Sequence, residues 1–449
     1  MPILLILLLL LLPGCQSNQE KDQSPQPTSQ QKLSETQVMQ QNITPILFEL
    51  PSQALQVWRN FKTQKPALVL FSENPFLAPI PQPLKKSVKD LIATGSAEDF
   101  TRQASLQRVN PVLLSQQTLS AAIDSQLISE IVWYFPTRSP LAEFKVQNFS
   151  KLLVKAGFLS DEEAAQLTRA EEGIFEGRVR GIPLRVVHPL AALPEISQPV
   201  LLHIDLGYFR GLFKNSVSTP LYNLLHETAL LLRDTQWPTL AVSLSYSNEG
   251  GNYALETRFL IKDLAQLLEN PQIIDGQMPK NWQNRKEALF SKDFYQESKA
   301  QQLMLQSAEQ SPLDASVQYD AYRVLIETGQ NKEAFEQLDK VVALDPGYAE
   351  EYLSLAQTGF EKGWNDQTLQ LLDKAIAAMP YNPLIPLHKA DLLLEMGKKQ
   401  AALEIYERQQ QLPWSTIYYP EMSNSLKNLI HNLGETENKS AEPKTHQQE

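Results

Sequence analysis

The sequence predicts an α/β domain, built on a mostly parallel sheet with helices on both faces, followed by an all-α solenoid of paired helices. Three observations carry this expectation. Short runs at 67–71, 130–135, 184–187, 200–206 and 239–245 are apolar rather than alternating, as strands covered on both faces are. Helix-like segments lie between them, the alternation of an α/β unit. Further on, Gly329, Gly363 and Gly397 recur every 34 residues, and Pro312, Pro346 and Pro380 recur at the same spacing.

The chain opens with a ten-residue apolar run at 3–12, about half of what a bilayer requires, ending in Leu12-Pro13-Gly14-Cys15. This resembles the lipobox of bacterial lipoprotein signal peptides, in which the cysteine is acylated, palmitate being a typical chain, and becomes the first mature residue. The resemblance implies that 1–14 is a signal peptide and that Cys15 is the lipidation site. The protein would then sit in the bacterial envelope facing the periplasm, with Gln16 after the cysteine favouring the outer membrane. The lipid would replace the lost apolar segment as the anchor. No Lys or Arg precedes the run and Pro13 stands where a small residue is usual, so a secretory peptide with an unmodified Cys15 is the other reading of these residues. Cys15 is the one cysteine, which excludes a disulfide framework. No second apolar run of about 18 residues follows, so the lipid is the only membrane attachment expected.

Residues 15–42 are rich in Gln, Ser, Pro, Lys and Glu and read as a flexible tether. The α/β domain is drawn at 43–275, with helices expected at 221–233 and 254–268. Ser160-Asp161-Glu162-Glu163 reads as a capping box that opens another helix. Linker helices of a worn repeat are placed at 276–314, where Ala300 falls in register with Ala334. Repeats at 315–348, 349–382 and 383–416 come next, with a capping helix to residue 433 and a disordered polar tail at 434–449. The net charge of −11 and the lack of any basic run argue against nucleic-acid binding.

In the repeats, small Ala334, Thr368 and Ala402 and larger Leu338, Leu372 and Tyr406 recur at equivalent positions, where two packed helices need them. Each glycine ends a first helix in a left-handed conformation, and each proline stops the second. The segment Gly329-Gln-Asn-Lys-Glu-Ala334 followed by Leu344-Asp345-Pro346 resembles the tetratricopeptide repeat. That resemblance implies a groove lined by the first helix of each unit. Here it offers Tyr319, Arg323, Leu353, Gln357, Phe360, Leu387, Asp391 and Leu394 to a protein or peptide partner. Packing of the same residues against the α/β domain is the alternative.

Chemistry, if present, is expected around the run Pro-Val-Leu-Leu-His-Ile-Asp-Leu-Gly-Tyr-Phe at 199–209. With Pro-Thr-Leu-Ala-Val-Ser-Leu-Ser at 238–245 and Ala-Leu-Val-Leu-Phe-Ser-Glu-Asn-Pro at 67–75, it resembles the arginase and histone-deacetylase fold, whose metal-dependent members cleave C–N bonds. Ser72, Asn74 and Phe76 stand where that family carries Asp, His and Asp, and His203 and Gly207 replace two acids. Only Asp205 matches. The resemblance thus implies an inactive, ureohydrolase-like domain with no cofactor. The alternative is an enzyme in which His203 and Asp205, joined by Glu73 or His188, hold a divalent metal that activates water for hydrolysis. His226-Glu227 reads as a helix-surface pair, and Asn248-Glu-Gly-Gly-Asn252 as a connecting loop after a strand. Gly-x-Ser-x-Gly and Walker motifs are absent from the sequence.

Overall fold

The computed structural model describes residues 37–246 and 255–441. Eight strands form one sheet: β1 (Ile46–Phe48), β2 (Ala67–Phe71), β3 (Glu130–Tyr134), β4 (Thr168–Glu171), β5 (Ile174–Val179), β6 (Ile182–Val187), β7 (Val200–Asp205) and β8 (Thr239–Ser245). Their order is β1-β8-β7-β2-β3-β6-β5-β4. The first six in that order run parallel, and β6, β5 and β4 form an antiparallel meander. Between β5 and β6 lie only Arg180 and Gly181, both at positive φ, the geometry of a two-residue hairpin.

Successive side chains of the central strands enter opposite cores, as strand geometry requires. Leu68, Leu70, Ile131 and Trp133 pack under α1 (Leu55–Trp58), α2 (Lys85–Thr94), α3 (Ala97–Gln103), α4 (Thr118–Asp124), α5 (Val146–Lys155) and α6 (Asp161–Ala165). Val69, Phe71, Val132 and Tyr134 pack under α7 (Leu206–Leu212), α8 (Leu221–Asp234) and α9 (Phe259–Glu269). The expectation of helices on both faces therefore describes the domain. Ser160 Oγ accepts the Glu163 amide at 3.2 Å while Glu163 accepts the Ser160 amide at 2.9 Å, the reciprocal cap of α6.

The helical region is a series of hairpins: α10 (Lys280–Asp293) with α11 (Glu297–Gln310), α12 (Ala315–Glu327) with α13 (Asn331–Leu344), α14 (Glu351–Glu361) with α15 (Asn365–Ala378), and α16 (Leu384–Glu395) with α17 (Lys399–Gln410). A final helix, α18 (Met422–Ala441), follows. Gly329, Gly363 and Gly397 have φ of +76°, +74° and +74°. Thirty-four residues before Gly329, the α10–α11 turn places Tyr295 at φ +58°. Ala300, Ala334, Thr368 and Ala402 are each fully buried where paired helices touch.

Two boundaries differ from the sequence reading. Val38 and Met39, assigned to the tether, are buried in the core beneath α8 and α9, and the Ile43 amide donates to Leu268 O at 2.9 Å. The fold thus takes hold before residue 43, because two apolar side chains in a polar stretch suffice to pin it. The backbone of α18 also runs past 433, into residues expected to form a disordered tail.

Candidate functional site

At the carboxyl ends of β2, β7 and β8, the parallel register sets Phe71 beside Ile204 and Asp205 beside Ser245. Chain order turns from one side of β2 to the other here, the place where open α/β sheets present a crevice. His203, Asp205, Ser243, Ser245 and Ser72 meet there, and none is more than 1% exposed.

Their hydrogen bonds form one chain. Ser245 Oγ lies 2.6 Å from Asp205 Oδ2 and so donates to it; its lone pair accepts His203 Nε2–H at 3.1 Å. The imidazole is thereby the Nε2-protonated tautomer, leaving Nδ1 to accept from Ser243 Oγ at 2.9 Å. Trp58 Nε1 donates to Ser243 Oγ at 3.3 Å, and its ring stands edge-on to His203. Asp205 Oδ1 accepts the Gly207 amide at 3.0 Å, capping α7, and lies 3.5 Å from Ser72 Oγ. Burial depresses the His203 pKa to about 3, so the ring is neutral. Serine lies between histidine and carboxylate here. A nucleophilic triad instead needs the histidine between serine and carboxylate, with the serine exposed to substrate.

The other proposed ligands are spent elsewhere. Glu73 forms an ion pair with Arg210 at 3.5 Å. His188 Nε2 donates to Ser139 O at 3.0 Å and its Nδ1 accepts the Leu190 amide. It directly follows β6, three strands from β7, which at about 4.8 Å per strand is roughly 14 Å away. Ser72 Oγ accepts the Asn74 amide and Asn74 Oδ1 accepts the Phe76 amide at 2.7 Å, so these positions build the turn after β2. Among the described residues, no group of three or more His, Cys, Asp or Glu is placed to hold a metal ion. The metal set of Glu73, His203 and Asp205 is thus not assembled, because two of its members are already saturated inside the sheet. His226 and Glu227 are exposed on α8, and residues 248–252, like Cys15, lie outside the described residues.

The repeat positions divide. Tyr319 is buried and donates to Glu351 Oε2 at 2.6 Å, while Arg323 pairs with Glu256 just before α9. Tyr319 thus serves packing within the chain and is not part of an open groove, a correction that follows from where α12 docks, while Arg323 stays about 35% exposed beside its partner. Leu353, Phe360, Leu387 and Leu394 are half-buried between hairpins, and Gln357 and Asp391 are exposed.

The docking of α12 reveals a polar junction that sequence reading missed. Arg285, only 3% exposed, lies 2.7 Å from Asp320, 3.7 Å from Asp263 and 3.4 Å from the Tyr222 hydroxyl. Arg258 forks onto both oxygens of Glu49 at 2.8 Å, reaches Asp345 at 3.2 Å and lies over the Tyr246 ring. A Cβ on Gly347 would run into that guanidinium, which is why the loop after α13 carries glycine there. Burial pushes the Asp263 carboxyl up to about 7 against the pull of Arg285. Nothing in the local sequence distinguishes these arginines from solvated ones.

No protein-family model matches this chain, and no curated protein does. Among solved structures, the chain is similar to one titled "Crystal structure of MamA protein", at 18% identity and a TM-score of 0.24, covering 38% of this chain and 98% of that one. A second, "Crystal structure of MamA", has 19% identity and a TM-score of 0.22, covering 34% and 96%. Scores of that size carry no inference about fold or role. Among the described residues, no helix is long and apolar enough to cross a membrane.

Proposed function

We propose that the chain is a lipid-anchored scaffold of the bacterial envelope, facing the periplasm. Its helical hairpins form a solenoid of tetratricopeptide type that binds a protein partner, and its ureohydrolase-like domain serves as an inactive platform. The observation that carries this reading is the common 34-residue register. Turns at Tyr295, Gly329, Gly363 and Gly397 share one left-handed conformation, so the hairpins repeat as one unit. The alternative of hydrolysis at Asp205 meets a carboxylate that is buried and hydrogen-bonded on both oxygens.

A photo-crosslinking residue placed at exposed Gln357 or Asp391 tests the partner face in living cells, with exposed Lys340 on α13 as the control position. A discrete adduct from the first two sites and not from the third is expected. Equal labelling at all three, or none, would sink the scaffold reading. The anchor has its own test: Cys15→Ala should move the protein from the membrane to the soluble fraction, and unchanged fractionation refutes it.

A further inference from the structure

We infer that the loop at 104–111 is an internal ligand of the repeats, docked on the α16–α17 hairpin as a peptide would be, and that it holds that end of the partner face closed. The inference rests on the partner-binding reading above and names its regulation. The loop lies between α3 and α4 and is pinched at its base, where the Val112 and Leu113 amides donate to Gln103 O at 2.9 Å and 3.2 Å. Ser52 Oγ fixes its start by donating to Ala104 O at 3.0 Å. A compact surface loop with closed ends keeps its shape through that neck, so the tip is not needed to hold it.

The tip reaches the repeats. Val109 O accepts the Ser415 amide at 3.0 Å, and Leu106 O accepts the Tyr419 hydroxyl. The Val109 side chain packs on the cluster that holds Ala390, Leu393, Tyr406 and Trp414. Leu387 and Leu394, which the sequence offers to a partner, flank that same cluster. Main-chain bonds joined to an apolar anchor are the terms on which extended peptides are recognised. An outside partner has to replace what the loop supplies, so it is an extended peptide segment with an aliphatic or aromatic anchor.

Two contrasts mark the contact as releasable. Where the helical region meets the domain at α10 and α12, Arg285 and Arg258 are buried against carboxylates; at the tip the anchor is one half-buried valine, and Leu106 is 42% exposed. The fit is also incomplete, because a cavity of about 620 Å³ remains beside Val109, walled in part by Val112, Pro386, Leu412 and Pro413. A leucine or phenylalanine fills space that valine leaves, so a segment carrying one displaces the loop. Tyr418 lies 3.2 Å from Gln117 and Tyr381 3.3 Å from Glu98, contacts outside the loop that keep the hairpin in place when the tip leaves.

Fluorescence anisotropy of the full chain with the labelled octapeptide of 105–112, Ser-Leu-Gln-Arg-Val-Asn-Pro-Val, tests the inference. Val109→Asp expels the tip and should bind the peptide about tenfold more tightly than the parent chain, the gain expected if the parent groove is open about a tenth of the time. A peptide carrying Asp in place of Val109 should bind neither chain. If the Val109→Asp chain does not fold, Val109→Ser carries the comparison, with a gain of about threefold. Equal affinity of parent and variant, absence of binding to both included, overturns the inference. Crosslinking from Asp391 in cells separates it from the reading it rests on: the adduct should increase in the Val109 variant. An adduct of unchanged yield sinks the loop's role alone, and its absence from parent and variant alike sinks the partner-binding reading and the regulation with it.

Discussion

Asp205 and His203 carry the enzymatic alternative in the sequence, and their surroundings give them a different role. Each is a polar group in a sheet core, and each is tolerated because the next residue in the hydrogen-bond chain completes it. The sequence places Asp205 at the end of an apolar strand, and the structure finds it there. What no spacing reveals is that Ser243 and Ser245, on a strand some 40 residues later, satisfy both nitrogens of His203. Two small hydroxyls in an apolar run read as neutral filler until the register sets them beside the imidazole. Because the folded ring titrates near pH 3 and an unfolded one near 6.5, folding is opposed by protonation of the unfolded chain as pH falls through that window. The contribution of His203 to stability should therefore be lost from about pH 6.5 downward, against an opposing gain from Asp263 over the same range. His203→Gln keeps a donor and an acceptor, removes the titration, and should cost about 1–3 kcal/mol at pH 7. Urea midpoints measured from pH 4 to 7 should favour the variant increasingly over the parent chain as pH falls; a constant difference between the two would mean His203 is not the titrating group.

Among the elements, legibility follows burial. Strands β2, β7 and β8 were readable because a strand covered on both faces needs an unbroken apolar run. The short edge strands β1 and β4 were not: Ile46 and Leu47 are exposed, and every residue of β4 faces solvent, so neither leaves a pattern. The hairpin between β5 and β6 left half of one, since Gly181 suits the positive φ such a turn demands and Arg180 before it does not. The helix pairs were legible for another reason. A left-handed turn selects glycine, and the same demand recurs at each unit. Tyr295 is the exception, 92% exposed and held at φ +58°. A non-glycine residue there costs about 1–2 kcal/mol, while glycine costs about 0.4–1 kcal/mol through the unfolded chain. Tyr295→Gly should then be neutral to about 1 kcal/mol stabilising, and Gly329→Ala destabilising by about 1 kcal/mol, the two opposite in sign. Thermal melts of the pair decide it; equal losses would show that the turn is not what selects the residue.

For the molecule as a whole, the union of domain and hairpins was the least legible feature. Trp282 of the first hairpin belongs to the core of the α/β domain, and the junction is locked by arginines whose partners lie far away in sequence. Contacts of that separation are fixed by topology alone, which is why buried Tyr319 looked available to a partner. The junction also titrates. Asp263, raised to about 7 from an ordinary value near 3.8, holds its proton more tightly when folded, so its contribution is fully present below about pH 4 and is lost as pH rises through 7. Asp263→Asn should remove that loss, so its stability relative to the parent chain rises between about pH 4 and 7. A slope identical to that of the parent chain would place the titrating group elsewhere.

The strand order has a mechanical corollary. A chain held at its amino end and loaded elsewhere transmits tension into the fold through Val38, Met39 and β1. That strand lies at the sheet edge, held by three residue pairs to β8. Under load it would shear away first, leaving seven strands and the helices joined, so the edge would behave as a fuse for the body behind it.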